Sequence, residues 1–347
     1  MTGTDIFSID GRESHVVYTE GLPALDESGE SLYVFDRNTA ALFSRLPEGS
    51  VVLEPGEQSK SWTGVESILK AAFARGMSRD SVFIAAGGGM ICDITAFAAS
   101  VFMRGAGLRL IPTSLLSMVD ASFGGKTAIN FGGYKNLVGT FYPAGTITIS
   151  PAFLTSLPLR EFLSGLAEIV KYAMLGDASL YESLREKAAA LTRAECRGDA
   201  GFLLDVIRRT LLIKARFVGE DPTEKGVRAY LNLGHTFGHG LEAATGFERF
   251  THGEAVAWGT LRALDAGREL GITGRDYAAG AARLFTELGF PAKVSGVPAA
   301  EILRAMEKDK KKRLGRVKFV LQRNLCDTFC ENLEQALVQK IVERGIV

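Results

Sequence analysis

Residues 81–103 read SVFIAAGGGMICDITAFAASVFM, and the fold turns on how this stretch is taken. It is apolar enough to raise the question of a membrane span. Gly87-Gly88-Gly89 and Asp93 lie in its middle, and a charge or a broken helix is costly in a bilayer. A buried strand at 82–86, a glycine turn and a helix from about Asp93 account for the same residues without that cost. Glycines between a strand and a helix let backbone N–H groups approach an anion at the helix N-terminus, although a tight structural turn has the same composition. The triplet is not the G-x-G-x-x-G of the common dinucleotide fold.

Outward from this unit, the first half alternates short apolar runs with helical spacing. Residues 31–35, 51–53, 108–111 and 146–149 read as strands, and 38–46 and 62–75 as helices. Such alternation predicts a parallel sheet covered on both faces. Beyond Pro158 the apolar period becomes helical over 160–175, 180–191, 202–218, 236–244, 253–270 and 277–288, with one short late strand at 317–321. The expected architecture is α/β: an N-terminal parallel-sheet domain over residues 1–157 and a mostly helical domain over 158–347.

The bulk composition fits two packed domains and excludes several classes. Of 347 residues, 46% are hydrophobic and 23% charged, which describes an ordinary globular chain. The 40 acidic and 40 basic residues cancel, so no basic excess points to nucleic acid. Cys92, Cys196, Cys326 and Cys330 are too scattered for a disulfide framework and read as reduced thiols of a cytoplasmic protein. Residues 1–10 are polar and lack the basic start and apolar stretch of a signal peptide.

Chemistry concentrates in few places. Three of the four histidines fall within 233–254. His235 and His239 are spaced i, i+4 and share a helix face, and His252 follows after a turn. A metal or catalytic site outweighs the plain alternative of incidental histidines. The carboxylate completing such a site is not fixed by spacing; Glu168, Glu242 and Glu254 are all candidates. Residues 120–136 carry Asp120, Lys126, Thr127, Asn130, Lys135 and Asn136 among two glycine pairs. That composition suits an anionic ligand, or a surface hairpin with solvated lysines. Arg104, Lys171, Lys214 and Arg228 add cations near expected helix ends.

Taken in order, these segments resemble the 3-dehydroquinate synthase family over about residues 51–321. The likeness is carried by Gly87-Gly88-Gly89 with Asp93; Phe102-Met103-Arg104-Gly105; Pro112-Thr113-Ser114-Leu115-Leu116; Val119-Asp120-Ala121-Ser122 running into Gly124-Gly125-Lys126-Thr127; and Lys135-Asn136. It continues through Gly165-Leu166-Ala167-Glu168 with Lys171-Tyr172, residues 231–239 (LNLGHTFGH), and His252-Gly253-Glu254-Ala255-Val256. The resemblance implies metal ligands at Glu168, His235 and His252, leaving His239 as a group near substrate. It implies NAD contacts at Asp36, Asn38, Glu57, Lys60, Gly88, Gly89, Asp93, Thr113, Ser114, Asp120, Lys126, Lys135 and Ser156. Catalytic and substrate positions are implied at Arg104, Asp120, Lys126, Asn136, Lys171, Lys214, Arg228, Asn232, His239 and Lys310.

The reaction so implied converts 3-deoxy-D-arabino-heptulosonate 7-phosphate to 3-dehydroquinate and phosphate, a step of the shikimate pathway to aromatic amino acids. It runs by transient oxidation with NAD, phosphate elimination, re-reduction and intramolecular aldol closure, with one divalent metal, zinc first and cobalt second. The resemblance further implies a cytoplasmic homodimer with a sugar-acid phosphate as its ligand and neither nucleic acid nor membrane as partner. Competing readings are a sister sugar phosphate cyclase, a metal-dependent polyol dehydrogenase of the same architecture, and a binding protein that has lost catalysis. This chain departs from the family pattern at Ser114 and Ser156, at residues 131–134 and 221–224, at the bulky Trp258, and over 322–330.

Overall fold

The computed structural model describes residues 2–26, 30–312 and 318–347, excluding the side chains of Ala194 and of residues 309–312. The chain opens with a hairpin of β1 (Gly3–Ile9) and β2 (Arg12–Tyr18), followed by β3 (Ser31–Asp36), α1 (Arg37–Ala40), β4 (Val51–Leu53) and α2 (Trp62–Ala74). The decisive stretch becomes β5 (Val82–Gly87) and α3 (Gly89–Val101), a strand and a helix as expected, with the helix starting at Gly89 rather than near Asp93. Next come β6 (Gly107–Pro112), the hairpin β7 (Lys126–Phe131) and β8 (Tyr134–Phe141), and β9 (Thr146–Ile149).

Seven strands form one sheet in the order β1-β2-β9-β6-β5-β3-β4. All neighbours pair parallel except β1 with β2. The parallel sheet thus carries an antiparallel hairpin at one edge, turned at Asp10-Gly11, where both residues have left-handed φ (52° and 74°). The central strands are the most buried: β5 at all but its first residue and β3 at every position, as a strand covered on both faces must be. After β3 the chain steps outward to β4, then returns to β5 on the other side of β3. The connections leaving β3 and β5 therefore diverge, which opens a crevice at their C-terminal ends.

The helical part holds α4 (Leu159–Gly176), α5 (Ala178–Glu186), α6 (Ala188–Leu191), α7 (Ala200–Glu220), α8 (His235–Ala244), α9 (His252–Glu269), α10 (Arg275–Glu287) and α11 (Ala299–Lys312). A hairpin of β10 (Phe319–Asn324) and β11 (Asp327–Glu331) and a final α12 (Gln335–Arg344) complete it. The described contacts group into two compact units. One is Met1–Leu157 with Arg197–Leu211; the other is Pro158–Cys196 with Leu212–Val347. In the first, Arg208 forks the Asp5 carboxylate at 2.9 and 2.8 Å. In the second, α9 is buried on nearly every side, with α4 and α8 among its neighbours. Trp258 is buried there, and its indole N–H donates to Gly345 O at 2.9 Å, which gives this bulky residue a defined place. Among the described residues no helix is long and apolar enough to cross a membrane.

Candidate functional site

The second unit holds a cluster built by three helices. Glu168 sits in the middle of α4 with 0% of its surface exposed. A carboxylate so buried requires compensating charge. Lys171, one turn on and equally buried, places Nζ 2.5 Å from Oε2. That leaves Oε1 facing two imidazoles, at 3.5 Å from His235 Nε2 and 3.4 Å from His252 Nε2. Both rings are held from behind. His235 Nδ1 lies 3.2 Å from Leu233 O, and a carbonyl can only accept, so that nitrogen carries the hydrogen and Nε2 keeps its lone pair. His252 Nδ1 faces Glu242 Oε2 at 3.5 Å. Carbonyls and carboxylates behind ligand imidazoles are the usual outer layer of a metal centre.

Local sequence explains the placement. Gly234 precedes α8 in the left-handed region (φ 80°), and a Cβ there would lie 2.4 Å from Thr260 Oγ1, so only glycine lets α8 begin this close to α9. Thr251 caps α9, with Glu254 closing the capping box, which makes His252 the first residue of the helix. Burial drives His235 well below the ordinary histidine pKa, with the Lys171 charge adding to it. Burial acts downward on His252 as well, but its hydrogen bonds to Glu168 and Glu242 carry it up to about 10.

The donor set fits a divalent ion. A tetrahedron with metal–donor bonds of about 2.0–2.2 Å has edges of about 3.3–3.6 Å, and Glu168 Oε1 stands at 3.4–3.5 Å from both nitrogens. Two imidazoles and a carboxylate are also a common catalytic zinc set. A second possible group, His239, Glu242 and His252, shares one histidine with the first. His239 is exposed on α8, its ring 5.3 Å from that of His235, so the i, i+4 pair does share a face. Glu254, one of three candidates by spacing, is turned to Thr251 and to Arg160 Nε and Nη2, at 2.9 and 2.7 Å. The sequence reading passed over Arg160, Thr251 and Ser164; the T-x-x-E box at 251–254 was the available signal.

The remaining expected residues of this unit are placed as follows. Lys214 and Arg228 are buried. Arg228 donates to Pro222 O, and Asp221 accepts from the backbone of Lys225, Gly226 and Arg228, which ties down the departing stretch 221–224. Asn232 donates to Glu224 at 2.5 Å. Lys310 has its side chain outside the described residues.

In the first unit, residues expected at NAD line the C-terminal edge of the sheet. Asp36 ends β3 and caps α1, accepting from Thr39 N at 2.9 Å, with Asn38 exposed beside it. Gly88 is the N-cap of α3 and supplies no side chain, so the first-turn N–H groups face outward at the positive end of the helix dipole. A Cβ on Gly88 would stand 3.6 Å from Ser114 Oγ, and one on Gly89 3.2 Å from the Ala121 side chain. Thr113 N is bonded to Gly87 O, joining the ends of β5 and β6. Lys60 Nζ meets both Asp93 Oδ2 and Asn136 Oδ1 at 2.5 Å. Burial pushes the Asp93 carboxyl up, against the pull of Lys60. Asn130 joins this network, donating to Glu57 Oε2 at 2.8 Å and accepting from Asn136 N at 3.0 Å. Of residues 120–136, read as a ligand loop or a surface hairpin, those from Lys126 on fall in the hairpin β7–β8, turned at Gly132-Gly133. Lys126 and Asn136 project from it, and Lys135 is half-buried. Ser156 is exposed, and its hydroxyl donates to Phe153 O. Arg104 is exposed in a strained run, with Met103, Arg104 and Gly105 all at positive φ (47°, 65° and 122°). Asp120 lies in a π-helical turn, Ser117–Ala121, an irregularity often found at functional sites. A bare helix N-terminus beside a crevice, flanked by hydroxyls, suits a pyrophosphate-bearing nucleotide.

Comparison with known proteins identifies one family over most of the chain. The family model for the 3-dehydroquinate synthase N-terminal region matches residues 50–164, and that for the C-terminal region matches 165–312. A 3-dehydroquinate synthase of Acidithiobacillus ferrooxidans is 40% identical over 313 residues, covering 87% of this chain and 85% of its own length. One from Prochlorococcus marinus is 36% identical over 328 residues, covering 94% and 87%. Among solved structures, a 2-epi-5-epi-valiolone synthase of Streptomyces hygroscopicus with NAD+ and Zn2+ bound superposes with a TM-score of 0.85 at 28% identity, covering 95% of this chain and 94% of that one. A glycerol dehydrogenase of Schizosaccharomyces pombe, at 16% identity and a TM-score of 0.65 over 99% and 91% of the two chains, shares the fold alone.

Proposed function

Because the chain belongs to the 3-dehydroquinate synthase family, we infer that it is an enzyme converting 3-deoxy-D-arabino-heptulosonate 7-phosphate to 3-dehydroquinate and phosphate. The observation that carries this most directly is the pairing of that family's two matched regions with the Glu168–His235–His252 donor set. Residues 1–157 are assigned to NAD and residues 158–347 to metal and substrate.

When bound, a divalent metal supplies Lewis acidity toward a substrate hydroxyl oxygen, and NAD supplies a hydride acceptor that is returned within the cycle. Glu168, His235 and His252 would hold the metal, and their N/O donors favour zinc. Lys171 neutralises the far oxygen of Glu168 and so keeps Oε1 aimed at the imidazoles. His239, exposed on the face it shares with His235, is a proton-exchanging group toward substrate. Within the helical unit Lys214 and Arg228 supply charge for an anionic group, with Asn232 as a neutral hydrogen-bonding partner; within the sheet unit Arg104 and Lys126 do so, with Asn136. The α3 N-terminus, Thr113, Ser114 and Lys60 hold the dinucleotide. The enzyme is placed in the cytoplasm, where free thiols at all four cysteines are expected, and assembled as a homodimer.

The test is phosphate release from 3-deoxy-D-arabino-heptulosonate 7-phosphate with NAD and zinc present, while NADH absorbance is followed. Phosphate release without NADH build-up is expected. NADH accumulating without phosphate would identify a dehydrogenase instead. Silence on both channels in folded, metal-loaded protein would point to a sister cyclase with another sugar phosphate.

A further inference from the structure

The first turns of α4 and α9 are joined by contacts that the ligand set itself does not need. Arg160, Ser164 and Glu168 recur at every fourth residue of α4, so they line one face. Three consecutive residues of α9 meet that row. At one end Arg160 forks the Glu254 carboxylate, Nε to Oε1 at 2.9 Å and Nη2 to Oε2 at 2.7 Å, and Nη2 also donates to Arg249 O at 2.6 Å. In the middle Gly253 N donates to Ser164 Oγ at 2.9 Å. A Cβ on Gly253 would lie 2.1 Å from Ser164 O, so the two backbones are in direct contact. At the other end His252 Nε2 stands 3.4 Å from Glu168 Oε1. Glu254 also closes the Thr251 capping box, and that box fixes where α9 begins.

We propose that Arg160, acting through Glu254, and Ser164, acting through Gly253, are positioning residues that hold His252 at ligand distance from Glu168. The inference rests on the reading of Glu168, His235 and His252 as a metal site. Neither Arg160 nor Ser164 offers a ligand atom to that set. The Arg160 and Glu254 side chains are 55% and 24% exposed, and an ion pair so open to water adds little to global stability. Its geometric consequence is larger, because outer partners that orient a ligand imidazole set metal affinity.

The experiment titrates metal-free protein with Co2+, following the ligand-field absorption and the dissociation constant, together with the thermal midpoint. Arg160→Ala and Ser164→Ala are each expected to weaken Co2+ binding about 10- to 100-fold and to alter the spectrum, with the midpoint little changed. Arg160→Lys, which keeps the charge but not the fork, is expected to recover part of the affinity. Wild-type affinity and spectrum in both alanine variants would overturn the proposal even if turnover fell. An unfolded Arg160→Ala would make the arginine structural and overturn its half, and Ser164→Ala, which removes one hydroxyl, would decide the other. His252→Ala separates the two levels: loss of the Co2+ spectrum upholds the metal site, whereas retention would remove that reading whatever Arg160 does.

Discussion

The edge of the sheet and the three-helix donor cluster are both polar sites, yet they are built on opposite principles. At the sheet edge a glycine turn next to its own strand and helix presents backbone groups, and the chain Glu57–Asn130–Asn136–Lys60–Asp93 is knit by hydrogen bonds in which two neutral asparagines stand between the Glu57 carboxylate and the Lys60–Asp93 ion pair. In the cluster, full charges are buried against one another: Lys171 and, in the metal-free protein, the protonated His252 compensate Glu168, while neutral His235 turns a lone pair toward it. The first arrangement can lose a member and let water or a proton take its place. The second cannot, because removing Glu168 or Lys171 leaves the other as a desolvated charge.

That contrast is tested most severely by Glu168→Ala. Lys171 then stays buried without its partner, so the unfolding free energy should fall by about 3–5 kcal/mol, with metal retention and turnover both lost; denaturant melts and metal analysis check it. A variant of near wild-type stability that still holds metal would break the comparison. Lys60→Met removes the central link at the sheet edge but keeps its stem. Asp93, already pushed up by burial, can take a proton, so the cost should be about 1.5–3 kcal/mol, with weaker NAD binding by fluorescence titration and unchanged metal content.

A gentler probe is pH. In metal-free protein His252 is raised to about 10, so its contribution to stability is full below the ordinary histidine value near 6.5 and is lost as pH climbs toward 10. His235 is depressed, so its contribution is present above that value and lost as pH falls below it. The metal-free protein should therefore be most stable near pH 6.5, while metal affinity keeps rising with pH as His252 gives up its proton. A thermal-midpoint profile without that maximum would show that the two imidazoles are not opposed. Smallest of all, Arg208→Ala removes a half-exposed fork on Asp5 outside both regions. It should cost at most about 1 kcal/mol and leave metal and NAD binding as they were.

What the sequence disclosed follows the same division. Strands 51–53 and 146–149 and the strand–glycine–helix unit are local, and they appear where the apolar pattern put them. The β1–β2 hairpin went unread because its strands are half-exposed and weakly apolar, although Asp10-Gly11 carried the turn signal. The helix expected over 38–46 stops at Ala40; Leu46 precedes Pro47, and the capping box of Asp36 and Thr39 secures only the first turn. Of the site, the histidine cluster was visible, but the choice among Glu168, Glu242 and Glu254 was not. Spacing leaves all three open. Only tertiary packing turns Glu254 to Arg160 and brings α4 under the imidazoles. The family resemblance supplied what spacing withheld.

The scatter of the three donors over α4, α8 and α9 also has a consequence in time. A chain emerging from the ribosome carries Glu168 early and His252 late, and α4 and α8 alone leave the set one nitrogen short. Until α9 has been synthesised and docked, the growing chain offers passing ions no complete grip, which guards it against capturing the wrong one before the fold can discriminate.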